Sequence, residues 1–164
     1  MSGVVIGIDP GKKGGLVALS RQGEVVWSGA TDVRWVLGKE YDVQRMWTDL
    51  ADVKLESGGV SGVVLERQWS RPTDGKRASF STGFGYGLWM GLIMSMGVRL
   101  LTPAPTTWQT IRKGVPGKGK EQSILCARQQ LPGLELLWGR RQKPHDGLAD
   151  AGCLALWGLR EWSG

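Results

Sequence analysis

The chain has 164 residues, 41% hydrophobic and 22% charged, which suits one globular domain and excludes a disordered or fibrous chain. No apolar run reaches the ~18 residues of a membrane span. The opening Met1-Ser2-Gly3-Val4 lacks the basic start of a signal peptide, so a cytosolic protein with no membrane partner is expected. The formal net charge of +6 favours a polyanionic partner.

Val4 to Ile8 is a short β-branched apolar run and reads as a buried strand. Asp9-Pro10-Gly11 begins a turn. Leu16–Leu19 and Glu24–Trp27 continue as a meander across a tight turn. From 40 to 56, apolar residues recur at helical spacing, and Ser57-Gly58-Gly59 ends that helix. Val60 to Leu65 is a second buried strand, closed by Glu66. A polar, basic loop follows.

Ala78 to Met96 is a long helix of small and apolar residues, with glycines at 83, 85, 87 and 91. Each helical Gly costs about 1 kcal/mol against Ala, so close packing on another backbone is expected there. Val98 to Leu101 is a further strand. Residues 107–113 and 120–131 are helical, separated by a basic Gly-rich loop. Residues 132–144 are irregular, and 146–162 form a helix apolar almost all round. A meander followed by alternating helices and strands predicts an α/β fold: a five-stranded mixed sheet, order 3-2-1-4-5, with helices on both faces.

Charge is concentrated in one segment. Residues 57–145 hold thirteen basic and four acidic groups, a net of +9, which points to nucleic acid. Against that field, a few carboxylates stand out. Asp9 and Glu66 each close an apolar strand, and parallel strands put such ends on one edge. Asp146 and Asp150 lie four apart, hence on one helix face. Charges in so apolar a setting are expensive unless a cation gathers them, and hard oxygen ligands suit magnesium or manganese. Each has a plainer reading too. Asp9 suits a turn, Glu66 has Arg67 and Arg71 nearby, and Asp146 suits a helix N-cap. Asp150, mid-helix among apolar neighbours, has the weakest alternative.

Three motifs, Gly7-Ile8-Asp9-Pro10-Gly11, Val64-Leu65-Glu66-Arg67-Gln68 and Pro144-His145-Asp146-Gly147-Leu148-Ala149-Asp150, resemble those of the RuvC-type Holliday junction resolvases. These belong to the RNase H-like superfamily, and the last motif looks closest to resolvases encoded by bacteriophages. The resemblance covers nearly the whole chain. It implies a single RNase H-like nuclease domain over 1–164 that cuts four-way DNA junctions in recombination and repair, leaving 5′-phosphate and 3′-hydroxyl ends. It implies a tetrad of Asp9, Glu66, Asp146 and Asp150 holding two Mg2+ or Mn2+ ions, with His145 as an alternative ligand. It implies a bacterial or phage-infected host cell.

In the same resemblance, Trp69 occupies the place of an aromatic that wedges into the junction, and Lys113, Lys118 and Lys120 that of phosphate-binding lysines. Arg67, Arg71, Lys76 and Arg77 flank Trp69, and Arg140 and Arg141 precede the last motif, so these six are further candidate DNA contacts. The other eight tryptophans read as core or interface. A homodimer is expected, with helix 78–96 as its interface, because a two-fold junction suits paired sites. The competing readings are a broader flap or RNase H-type nuclease and an inert junction-binding protein. An actin-like ATPase needs two domains, for which 164 residues leave no room.

Overall fold

Strand β1 (Val4–Asp9) lies at the centre of the sheet, and the rest of the architecture is arranged around it. The computed structural model describes residues 3–163. Strands β2 (Gly15–Leu19) and β3 (Val25–Ala30) complete the antiparallel meander. Helix α1 (Thr31–Arg34) leads into a two-stranded ribbon, β4 (Val36–Leu37) and β5 (Glu40–Tyr41). Then come α2 (Val43–Glu56), β6 (Val60–Leu65), α3 (Lys76–Ser95), β7 (Leu100–Leu101) and α4 (Pro105–Trp108). A 3₁₀ turn over Gln109–Arg112 precedes α5 (Gly119–Gln130) and α6 (Asp146–Ser163).

The main sheet runs β3-β2-β1-β6-β7, with β1, β6 and β7 parallel. This is the expected 3-2-1-4-5 arrangement with the small ribbon inserted between its third and fourth strands. The helix expected from residue 40 starts at 43. Residues 40–41 pair with the ribbon instead, and the Asp42 side chain caps the helix by accepting from the Arg45 amide at 3.0 Å. The last strand is two residues long, not four.

Strand alternation divides the core. Val4, Ile6 and Ile8 of β1, with Val63 and Leu65 of β6, face α2 and α3. Val64 faces the other way, toward α5 and α6. Gly7 lies on that second face, where a Cβ would overlap the Ala151 carbonyl and the Ala155 amide of α6. A Cβ at Gly147 would likewise strike the Lys13 carbonyl. These two glycines let α6 lie directly on the sheet. By the same alternation Asp9, two beyond Gly7, and Glu66, two beyond Val64, turn toward α6.

The glycine-rich helix differs from expectation. Only Gly85 is closely packed, against the Tyr41 ring and the Pro10 carbonyl. Gly83, Gly87 and Gly91 face open space. With Phe80, Phe84 and Met94 they recur at helical spacing as one exposed stripe.

Candidate active site

Asp9 ends β1, and Glu66 follows β6, its amide donating to the Ile8 carbonyl at 3.1 Å. Asp146 and Asp150 occupy the first two turns of α6. All four belong to one electrostatic cluster. Burial, followed by the charges of Asp150 and Glu66, raises the Asp9 carboxyl well above the usual carboxylate range. Burial is also the main cause for Glu66, raised to about 7 with Asp150 adding to the shift. Asp150 is raised as well, by burial and by Asp146. For Asp146, burial is outweighed by Lys120, whose Nζ lies 2.8 Å from Oδ2, and its pKa is lowered.

Among the described residues, Asp9, Glu66 and Asp150 have no ion-pair partner. Glu66 pairs with neither Arg67 nor Arg71. It accepts from the Trp108 indole N–H at 2.6 Å and from Gln68 Nε2 at 2.8 Å. Nor do three His, Cys, Asp or Glu side chains close into a metal-ligating group among the described residues. Like charges repel, and only Asp146 of the four has a cationic partner among the described residues. The donor set nonetheless fits a hard divalent cation: carboxylate oxygens only, partly desolvated, and mostly without a protein cation. Asp9, Glu66, Asp146 and Asp150 are the residues that would hold it.

His145 is no ligand in this arrangement. It is 1% exposed, and both ring nitrogens are engaged. Nδ1 accepts from the Leu148 amide at 3.1 Å. Nε2 must then carry the proton, and it donates to Asp32 Oδ1 at 3.0 Å. Arg141 Nη1 holds the other oxygen of Asp32 at 3.3 Å. His145 therefore caps α6 with its ring, displacing Asp146 from the N-cap role the sequence also allowed. Because the cap sets where α6 begins, it sets where both aspartates stand.

The predicted DNA contacts are all exposed. Trp69 is 53% exposed and lines a cleft of about 260 Å³ with Glu66, Arg67, Gln68, Arg71 and Thr82. Lys76, Arg77, Lys113, Lys118 and Arg140 are exposed. Lys120 and Arg141 are ion-paired with Asp146 and Asp32.

Three residues escaped the sequence reading. Trp108 reads as core and is buried, but its N–H serves Glu66. Arg112 is 6% exposed and Ser123 fully buried, and they join through Nη1 to Oγ at 2.6 Å. One signal was present: Trp108 and Arg112 are four apart, so an arginine shares a face with a core tryptophan. Cys126 and Cys153 are both free and buried.

No family model matches the sequence. Over 88 residues, 54% of the chain, it is 33% identical to the chloroplastic Holliday junction resolvase of Chlamydomonas reinhardtii, and it spans about 10% of that protein's length. Thermus thermophilus RuvC in complex with a Holliday junction substrate superposes with a TM-score of 0.70 at 20% identity, covering 99% of this chain and 96% of that one. Another Thermus thermophilus RuvC structure gives 0.64 at 22%, over 98% and 96%. The yeast mitochondrial Holliday junction resolvase gives 0.64 at 16%, over 99% and 80%. This chain thus has the RuvC-like, RNase H-type fold and has a Holliday junction resolvase among its sequence relatives.

Proposed function

We propose that the chain is a structure-selective endodeoxyribonuclease that cuts four-way DNA junctions by metal-dependent hydrolysis, leaving 5′-phosphate and 3′-hydroxyl ends. The observation that carries this is the convergence of four carboxylates on one sheet edge, three of them without ion-pair partners among the described residues, in a chain whose residues 57–145 carry a net charge of +9. The named activities of its resolvase relative and of the proteins that share its fold agree with it.

Asp9, Glu66, Asp146 and Asp150 hold two Mg2+ or Mn2+ ions in this reading. Such a pair activates the attacking water and stabilises the leaving oxygen. The remaining tasks fall to the chain's own residues. Lys113, Lys118 and Lys120 sit on and beside the Gly-rich loop and hold phosphates. Arg67, Arg71, Lys76, Arg77, Arg140 and Arg141 extend the cationic track. Trp69, half-exposed at its centre, stacks on an unpaired base at the branch point. A second copy docks on the α3 stripe of Phe80, Phe84, Gly87 and Met94, which pairs two sites for two strands. The likeness of the last motif to phage resolvases supports a cytoplasmic protein of a bacterial or phage-infected cell; the resolvase relative is chloroplastic.

The test is cleavage of a mobile four-way junction in Mg2+, beside flap, duplex and RNA–DNA hybrid substrates. Symmetric paired nicks are expected. Asp9→Asn and Asp150→Asn should abolish cutting while junction binding survives. Equal nicking of every branched substrate would leave a broader nuclease. Binding without any metal-dependent cutting would leave an inert junction-binding protein. Sedimentation of Phe84→Glu, expected as a monomer against a wild-type dimer, tests the paired arrangement.

A further inference from the structure

Arg112 lies behind the acidic edge and has no carboxylate partner among the described residues. A guanidinium 6% exposed without a counterion is costly. Its Nη1 donates to the Gly119 carbonyl at 2.9 Å and to Ser123 Oγ at 2.6 Å, while Nε has no partner. Its flat face lies over the Trp108 ring, 5.3 Å from the centroid.

Both neighbours lead to the metal carboxylates. The Trp108 N–H donates to Glu66 Oε2 at 2.6 Å. The Ser123 hydroxyl accepts from Arg112 at 2.6 Å, and Ser123 and Arg112 both lower the Asp150 pKa that burial raises. Arg112 thus stacks on the indole that serves Glu66 and bonds the hydroxyl that acts on Asp150, and its charge lowers the pKa of both carboxyls. Neither intermediary is open to solvent, so neither can touch DNA.

We propose that Trp108, Arg112 and Ser123 are a positioning set that aims the Glu66 and Asp150 carboxylates at a shared divalent cation from the protein side. The inference rests on the nuclease reading above and adds to it a specific buried scaffold. Partners one step behind the ligands fix orientation, and their loss typically costs 10–100-fold in metal affinity or activity. The set joins the 3₁₀ turn, α4 and α5 to the ends of β6 and α6. It accounts for a buried arginine where an apolar residue would pack at lower cost.

The experiment is Mn2+ titration of the full chain without DNA, followed by electron paramagnetic resonance. Ser123→Ala and Trp108→Phe each delete one donor while keeping the packing. Each should weaken Mn2+ binding by about 10–100-fold, with junction affinity in EDTA unchanged and kcat reduced at constant KM. Ser123→Thr, which keeps the hydroxyl, should restore Mn2+ binding. Arg112→Met should weaken it at least as much as either single change. That variant puts the fold at risk, so the first two decide. Mn2+ affinities of Ser123→Ala and Trp108→Phe equal to wild type would overturn the positioning set while leaving the nuclease reading intact. A wild-type chain that binds no Mn2+ would overturn both.

Discussion

Lys120 Nζ lies 2.8 Å from Asp146 Oδ2, which makes Asp146 the one carboxylate of the four with a cationic partner among the described residues. Lys120 is 79% exposed on its side chain, so the pair adds little stability. Its position matters more. Lys120 lies in the first turn of α5 beside the acidic edge, and in the proposed function it would exchange Asp146 for a DNA phosphate once a divalent ion takes the carboxylate.

Lys120→Gln should therefore leave the melting temperature nearly unchanged. Junction affinity should fall, and the slope of log affinity against log salt should drop by about one. Binding isotherms at several salt concentrations check this. An unchanged slope would remove Lys120 from the phosphate track.

The acidic edge makes a second prediction, on pH. Glu66 is raised from its ordinary 4.5 to about 7, and Asp9 and Asp150 are raised with it. Between these values the folded chain binds more protons than the unfolded one, so metal-free stability falls as pH rises from about 4.5 to about 7. Mg2+ held as proposed would bind the ionised carboxylates and should reverse the loss. Thermal melts with and without Mg2+ should converge near pH 5 and separate near pH 8, about two units below and one unit above the folded Glu66 value of about 7. A Mg2+ effect as large at the acid end would contradict the assignment.

Much of this edge is legible in the sequence because buried parallel strands are apolar runs, and a carboxylate that ends one is conspicuous. Asp9 and Glu66 stand out for that reason. Asp150 stands out because its helix is otherwise apolar. The β4–β5 ribbon has two residues per strand, too few for any periodicity. The His145 cap depends on Asp32, 113 positions away, and Trp108 finds Glu66 across 42. Pattern along the chain places a side chain on a face. It does not tell which distant polar atom completes that side chain. The α3 glycines are only partly explained within one chain: a small-residue stripe allows close packing, and within this chain only Gly85 uses it.

Asp49 supplies a prediction away from the site. It is 4% exposed and accepts from Arg34 Nε and Arg45 Nε at 2.9 Å each and from Trp35 Nε1 at 2.8 Å. Burial alone would raise its pKa, but these donors together hold it below the ordinary value of 3.8. Its contribution to stability is complete above the unfolded carboxylate pKa near 3.9 and is lost as pH falls through the lower folded value. Asp49→Ala strands the Trp35 indole and two arginines, and should cost about 3 kcal/mol, or roughly 6–12 °C in Tm. Calorimetry checks the loss. The difference between mutant and wild type should shrink in strong acid.

In the proposed function Trp69 should separate branch recognition from general DNA affinity. Its ring is 53% exposed and has no aromatic partner among the described residues, while Trp35 and Trp89 pack edge to face in the core. An indole left in water beside Arg67 and Arg71, at a cleft that reaches Glu66, is placed to stack on a base that has lost its neighbour. Only a branch point offers such a base without the cost of opening a duplex. Stacking is worth about 1–3 kcal/mol per base, so Trp69→Ala should weaken junction binding by roughly 5–150-fold. Duplex binding should barely change, because a closed duplex hides its base faces. Trp69→Phe should keep most of the effect. A junction labelled with 2-aminopurine at the branch reports the stacking directly, through quenching that the alanine variant loses. Equal losses on junction and duplex would make Trp69 a backbone contact rather than a wedge.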